Sequence, residues 1–220
     1  MLRNQDKYYV GIDLHGKYCE VAVLDKERYI QERKRINNQE VDKMIELLSR
    51  YALQKRTIAT LESTWGWYWL ADELEKIPNV KLKLGHPLGI KALTCTNKKT
   101  DARDSKLLAD LTRTNLLPES HITSKVSREF KELVRHRMSL VENRSNLKRR
   151  VKACLAKQNL HCPYRDVLGK KARIWVFDNV KAYQYKIQID TNYALCDHIN
   201  TEIDRVNSLL EEQSKGIKDI

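Results

Sequence analysis

Residues 8–14, YYVGIDL, are apolar at positions that point to both faces of an extended chain. Such a strand needs cover on both sides, so it belongs at the centre of a sheet flanked by helices. Asp13 closes it, and an acid finishing an otherwise apolar central strand needs a partner for its charge. Residues 19–24 read as a second strand after the turn His15-Gly16-Lys17, and residues 28–33 as a third after Asp25-Lys26-Glu27. Val41, Met44, Ile45, Leu48 and Tyr51 recur at helical spacing and predict an amphipathic helix beginning near Asn38. Residues 57–61 then form a short buried strand ending at Glu62. An aromatic-rich helix over 67–76 stops before Pro78, and Val80, Leu82 and Leu84 alternate with Lys81 and Lys83 as a strand with one wet face. After a polar connection, residues 102–112 are helical, with Leu107, Leu108 and Leu111 as the buried stripe. The order βββαβαβα predicts an α/β fold, a mixed sheet flanked by helices.

Beyond Pro118 the apolar residues settle into alternating three- and four-residue steps. One seam is Val126, Phe130, Leu133, Arg137, Leu140, Arg144, Leu147, Val151 and Cys154; a second is Cys196, Ile199, Ile203, Val206 and Leu210. This is the coiled-coil pattern. The expected organisation is therefore an α/β domain over 1–118 and a basic helical coiled-coil region over 119–220, joined internally by a connecting segment at 162–190. Charged residues inside the seam, Arg137 and Arg144, suggest that the coiled coil also meets another chain or a nucleic acid, because unpaired buried charge is costly.

The net charge of +12 and pI of about 9.4 favour a polyanionic partner. Charge alone also fits a ribosome-associated or membrane-surface protein, but its placement is informative. Residues 125–157 carry eleven Lys/Arg against three Glu, a net +8 that includes Arg144, Lys148, Arg149, Arg150 and Lys152 as candidate phosphate contacts. The second seam carries Asp197, Glu202, Asp204, Glu211 and Glu212, so the two helices are expected to pair antiparallel with complementary charge. Five cysteines without a C-x-x-C pair argue against zinc and for unpaired thiols in a reducing cytoplasm. No apolar run approaches the roughly 20 residues a membrane helix needs.

Parallel neighbouring strands end on the same side of a sheet. Asp13 and Glu62 at two strand ends, with Asp101 and Asp104 one helical turn apart at a helix start, are therefore placed to converge. Carboxylates packed that closely repel unless a cation neutralises them, and Mg²⁺ or Mn²⁺ is the chemical remedy used where phosphodiesters are cut or joined. Helix capping is the competing reading of Asp101 and Asp104, and Glu62 also precedes a helix. Lys98, Lys99 and Arg103 bracket the acidic pair as candidate phosphate contacts or as a solvated loop. Trp65, Trp67, Tyr68 and Trp69 read as base-stacking residues or as core, with core packing expected for at least two. His15, beside Asp13, reads as a solvated turn residue and stays outside the catalytic set.

The segments YVGIDLHGKYCEVAVLD, TLEST before an aromatic helix, and KTDARDSKLLADL before a basic helix resemble the N-terminal domain of the DEDD transposases of the insertion-sequence 110 family. The resemblance runs over about residues 8–160, with a weaker echo at 168–175 (LGKKARIW). It implies a RuvC-like (RNase H-like) fold and active-site, metal-binding carboxylates at Asp13, Glu62, Asp101 and Asp104. It also implies DNA insertion or inversion, guidance in some members by a structured noncoding bridge RNA, and assembly as dimers or tetramers. Family members continue into a domain bearing a nucleophilic serine, and the sequence stops at GIKDI, where that domain would begin. The expectation is a transposase or recombinase part, incomplete without that domain, in a prokaryotic cytoplasm and associated with the nucleoid. A non-catalytic nucleic-acid-binding module and a junction nuclease are the alternatives.

Overall fold

The computed structural model describes residues 7–93 and 101–215, apart from the side chains of residues 101 and 102. The chain forms two compact units, Met1–Ile122 and Thr123–Ile220. In the first, β1 (Lys7–Leu14), β2 (Tyr18–Leu24) and β3 (Ile30–Asn37) form an antiparallel meander. Helix α1 (Val41–Gln54) leads to β4 (Arg56–Glu62), α2 (Trp67–Leu74) to β5 (Val80–Gly85), and α3 (Pro87–Leu93) and α4 (Asp101–Arg113) to the short β6 (Glu119–Ser120). The sheet order is β3-β2-β1-β4-β5-β6, with β4 parallel to both β1 and β5. The doubly apolar strand β1 is thus internal, as its composition requires.

Each face of β1 serves a different layer. Tyr8, Val10 and Ile12 point into the main core with Met44, Leu48 and Tyr51 of α1 and Leu70 and Leu74 of α2. The opposite face, containing Gly11, is covered by α4. The third strand begins later than its sequence suggests. Asp25 Oδ1 accepts the Tyr29 amide at 2.8 Å and Arg28 takes a positive φ of 77°, so residues 25–29 are consumed in the turn. The strand then runs on to Asn37 as a charged edge, IQERKRIN. The polar connection after β5 contains α3, which starts at Pro87, where proline fits a first helical turn; His86 Nδ1 accepts the Gly89 amide at 3.1 Å. In sequence this segment reads only as a polar connection.

The second unit consists of α5 (Lys125–Ala156), α6 (Lys170–Asn179) and α7 (Tyr183–Ser214). Helix α7 begins well before the seam at Cys196, because Ile189 and Tyr193 join Val151, Cys154, Leu155, Val167, Val176 and Val180 in a separate small core. Arg137 Nε donates to Asn207 at 2.5 Å, Arg144 to Asn200 at 3.0 Å, and Cys154 lies 3.6 Å from Gln188. Rising numbers on α5 meet falling numbers on α7, so the two helices are antiparallel. The two seam arginines are answered by asparagines of the same hairpin, which meets within one chain the need for a polar partner that suggested an outside one. Among the described residues no helix is long and apolar enough to cross a membrane.

Candidate active site

The site is built by register. Ile12 of β1 lies beside Leu61 of β4, so the next pair in this parallel ladder is Asp13 and Glu62. Side chains alternate along a strand, which puts Asp13 on the face of Gly11 and Glu62 on the face of Thr60. Both are α4 faces. The Thr60 hydroxyl lies 2.6 Å from that of Thr112, which itself donates to the Leu108 carbonyl at 2.7 Å.

At Gly11 the strand and helix backbones nearly touch. A β-carbon there would collide with the Ser105 carbonyl oxygen and stand 2.6 Å from the Ala109 nitrogen. Only glycine permits this approach. The far end of α4 is tied to the β2–β3 turn. Arg28 Nε reaches Asp110 at 2.9 Å, Arg113 holds the same carboxylate at 2.8 Å, and Arg113 also donates to the Lys26 carbonyl at 3.2 Å. That turn lies at the end of β1 away from Asp13, so α4 runs against β1 and its first turn, with Asp101 and Asp104, heads toward the Asp13 end.

Asp104 is partly buried; the Asp101 side chain lies outside the described residues, as do Lys98 and Lys99 altogether. Among the described residues no three His, Cys, Asp or Glu side chains stand close enough together to hold a metal ion. The register therefore sets Asp13 and Glu62 side by side, and the first turn of α4, which carries Asp104, heads toward their end of the sheet.

Two further polar residues, outside the set expected from sequence, stand beside Asp13. His15 Nε2 lies 3.1 Å from Asp13 Oδ2, and its ring packs on Tyr18 with centroids 4.8 Å apart. The turn carrying it is fixed by Asn38, which donates to the His15 carbonyl at 2.8 Å and accepts from the Cys19 thiol at 3.2 Å. Burial, and secondarily the charge of Asp13, pushes the Cys19 thiol up to about 12. Glu20 is the cross-strand partner of Asp13 and is held by Arg35, whose guanidinium also sits 4.2 Å from the centre of the Tyr18 ring. The available signal was alternation, since Glu20 shares its face of β2 with Ala22 and Leu24.

The basic candidates divide in two. Arg103, Arg149, Arg150 and Lys152 are exposed. Arg144 and Lys148 are half-buried and engaged within their own unit, Lys148 with Asp166 at 2.8 Å. Of the aromatic run, Trp67 is buried and Tyr68 packs on the core, whereas Trp65 is 89% exposed.

A six-stranded mixed sheet, with acids closing the central strand and its parallel neighbour beneath a helix that begins with two more, defines the RuvC-like class of nucleic-acid-processing folds. The family model DEDD_Tnp_IS110, described as a transposase, matches residues 10–159. The chain belongs to this family of DNA transposases. No curated protein matches it.

Proposed function

We propose that Asp13, Glu62, Asp101 and Asp104 together bind Mg²⁺ or Mn²⁺ and form the phosphodiester strand-transfer site of this transposase. The observation that supports this most is the parallel register that sets Asp13 beside Glu62, on the sheet face that the Gly11 contact lets α4 approach closely. The donor set suits the metal, because hard divalent cations take oxygen ligands, and carboxylates supply them with charge compensation. When bound, such ions stabilise negative charge on the attacking and leaving oxygens of a phosphodiester. The chain's own residues orient and balance this site. His15 holds one oxygen of Asp13, and Arg35 neutralises Glu20 beside it. Arg103, Arg149, Arg150 and Lys152 hold phosphates of the DNA or of a structured noncoding bridge RNA, and the helical hairpin serves as a coiled coil through which copies of the chain associate as dimers or tetramers.

Calorimetric titration of the wild type and Asp13→Asn with Mg²⁺ and Mn²⁺ tests the metal assignment. Binding by the wild type and at least a ten-fold loss in the variant is expected; equal binding refutes it. Incubation with Mg²⁺, DNA and a family-type guide RNA, resolved on denaturing gels, tests the reaction. Metal-dependent nicking that Asp104→Asn abolishes, without joined product, would favour a junction nuclease.

A further inference from the structure

We infer that Trp65 is a nucleobase-stacking residue beside the carboxylate site, taking a base that is unpaired in the bound nucleic acid; this rests on the nucleic-acid reading above. Trp65 stands three residues beyond Glu62 in the connection from β4 to α2. The chain leading to it is pinned, because the Ser63 amide donates to the Gly85 carbonyl at 2.9 Å and the Thr64 amide to the Glu62 carbonyl at 2.8 Å. The indole then lies against the turn that follows Asp13, where a β-carbon on Gly16 would be 3.9 Å from its six-membered ring. A substituent on the next residue, Gly66, would likewise be 3.9 Å from the Leu14 side chain. The ring is thus bracketed by the segments that follow Asp13 and Glu62, yet 89% of the residue faces solvent.

Single exposed apolar residues are ordinary. This one differs in its setting, since its neighbours Trp67 and Leu70 find the core while Trp65, the largest side-chain type, stays outside it, directly after a hydrogen-bonded stretch of backbone. The adjoining turn offers Lys17, which is exposed, and His15. A flat π surface next to a cation and a metal-type acidic site suits a base swung out of a distorted strand, because every base has a π face. Phosphate contacts alone would not use an indole.

The test uses the full chain in EDTA, so that cleavage is silent, and anisotropy of three labelled duplexes: one with a single unpaired base, one with an abasic unit at that position, and one fully paired. DNA and RNA versions separate the two sources of the base. The wild type should prefer the unpaired base to the abasic unit by about five-fold or more, the lower end of base-stacking effects. Trp65→Ala should abolish that preference without changing affinity for the paired duplex, Trp65→Phe should retain most of it, and Trp69→Ala should leave it intact. Equal preference in the wild type and Trp65→Ala overturns the inference, as does an equal loss on paired duplex. Wild-type protein that binds none of the probes overturns the nucleic-acid reading and this inference together, whereas binding all three equally overturns the stacking alone.

Discussion

At Gly11 a single residue type decides how closely a strand and a helix can pack. Its α-hydrogen occupies the space where any other residue would drive a β-carbon into the backbone of Ser105 and Ala109. Backbone cannot rotate aside as a side chain can, so Gly11→Ala must lift α4 or bend β1. Forcing one extra carbon into a packed interior costs about 1–3 kcal/mol, and more where nothing yields. Denaturant unfolding should show a loss of at least that size. Metal binding should weaken in the fraction that remains folded, because Asp101 and Asp104 ride on the displaced helix. A variant of wild-type stability and wild-type metal affinity would show that the close approach is not what sets the site. Thr60→Val is the mild counterpart: it removes one hydroxyl from a chain that still leaves Thr112 bonded to Leu108, so a loss of about 1 kcal/mol fits a single neutral hydrogen bond.

Among the elements, the hairpin of α5 and α7 shows how charge is handled where little core is available. The expected pairing of a basic helix with an acidic one takes a different form. Arg137 and Arg144 meet Asn207 and Asn200, and the ion pairs of α7 with its neighbours include Asp197 with Arg173 of α6, at 2.6 and 2.7 Å. An amide answers a guanidinium without requiring a second buried charge to be desolvated. The Arg173 guanidinium holds the Asp197 carboxyl below its ordinary value, and Lys148 does the same for Asp166. A depressed carboxyl stabilises the fold above its unfolded value, near pH 3.9, and that contribution is lost as pH falls through the lower folded value. Acid should therefore destabilise the helical unit below about pH 4. Because Asp197 is 59% exposed, screening limits its share to about 1 kcal/mol at most. Helical circular dichroism during thermal melts at neutral and acid pH measures it, and Asp197→Asn should shrink the difference between the two.

Across the whole molecule, the excess of positive charge is concentrated on α5, while Asp13 and Glu62 close neighbouring strands of the sheet unit. Affinity for duplex DNA should fall with salt at a log–log slope of about −0.9 per phosphate neutralised. Replacing Arg149, Arg150 and Lys152 by Gln should flatten that slope by about one unit for each phosphate no longer held. Lys148→Gln should do less, because its ammonium is already engaged by Asp166; an unchanged slope in the triple variant would move the binding surface off α5. Much of this architecture was legible from local pattern. A doubly apolar strand must be internal, a three- and four-residue apolar rhythm must be a helix with one buried face, and parallel strands must end together, so Asp13 and Glu62 were readable as neighbours. The chain does not announce which residues approach across layers. That Gly11 meets the backbone of α4, that Glu20 lies beside Asp13 already paired with Arg35, that His15 meets Asp13, and that the seam arginines have partners in their own hairpin all depend on the meeting of residues distant in sequence or on the exact turn between them. Periodicity carries the direction in which a side chain points; only the packed structure decides what it meets there.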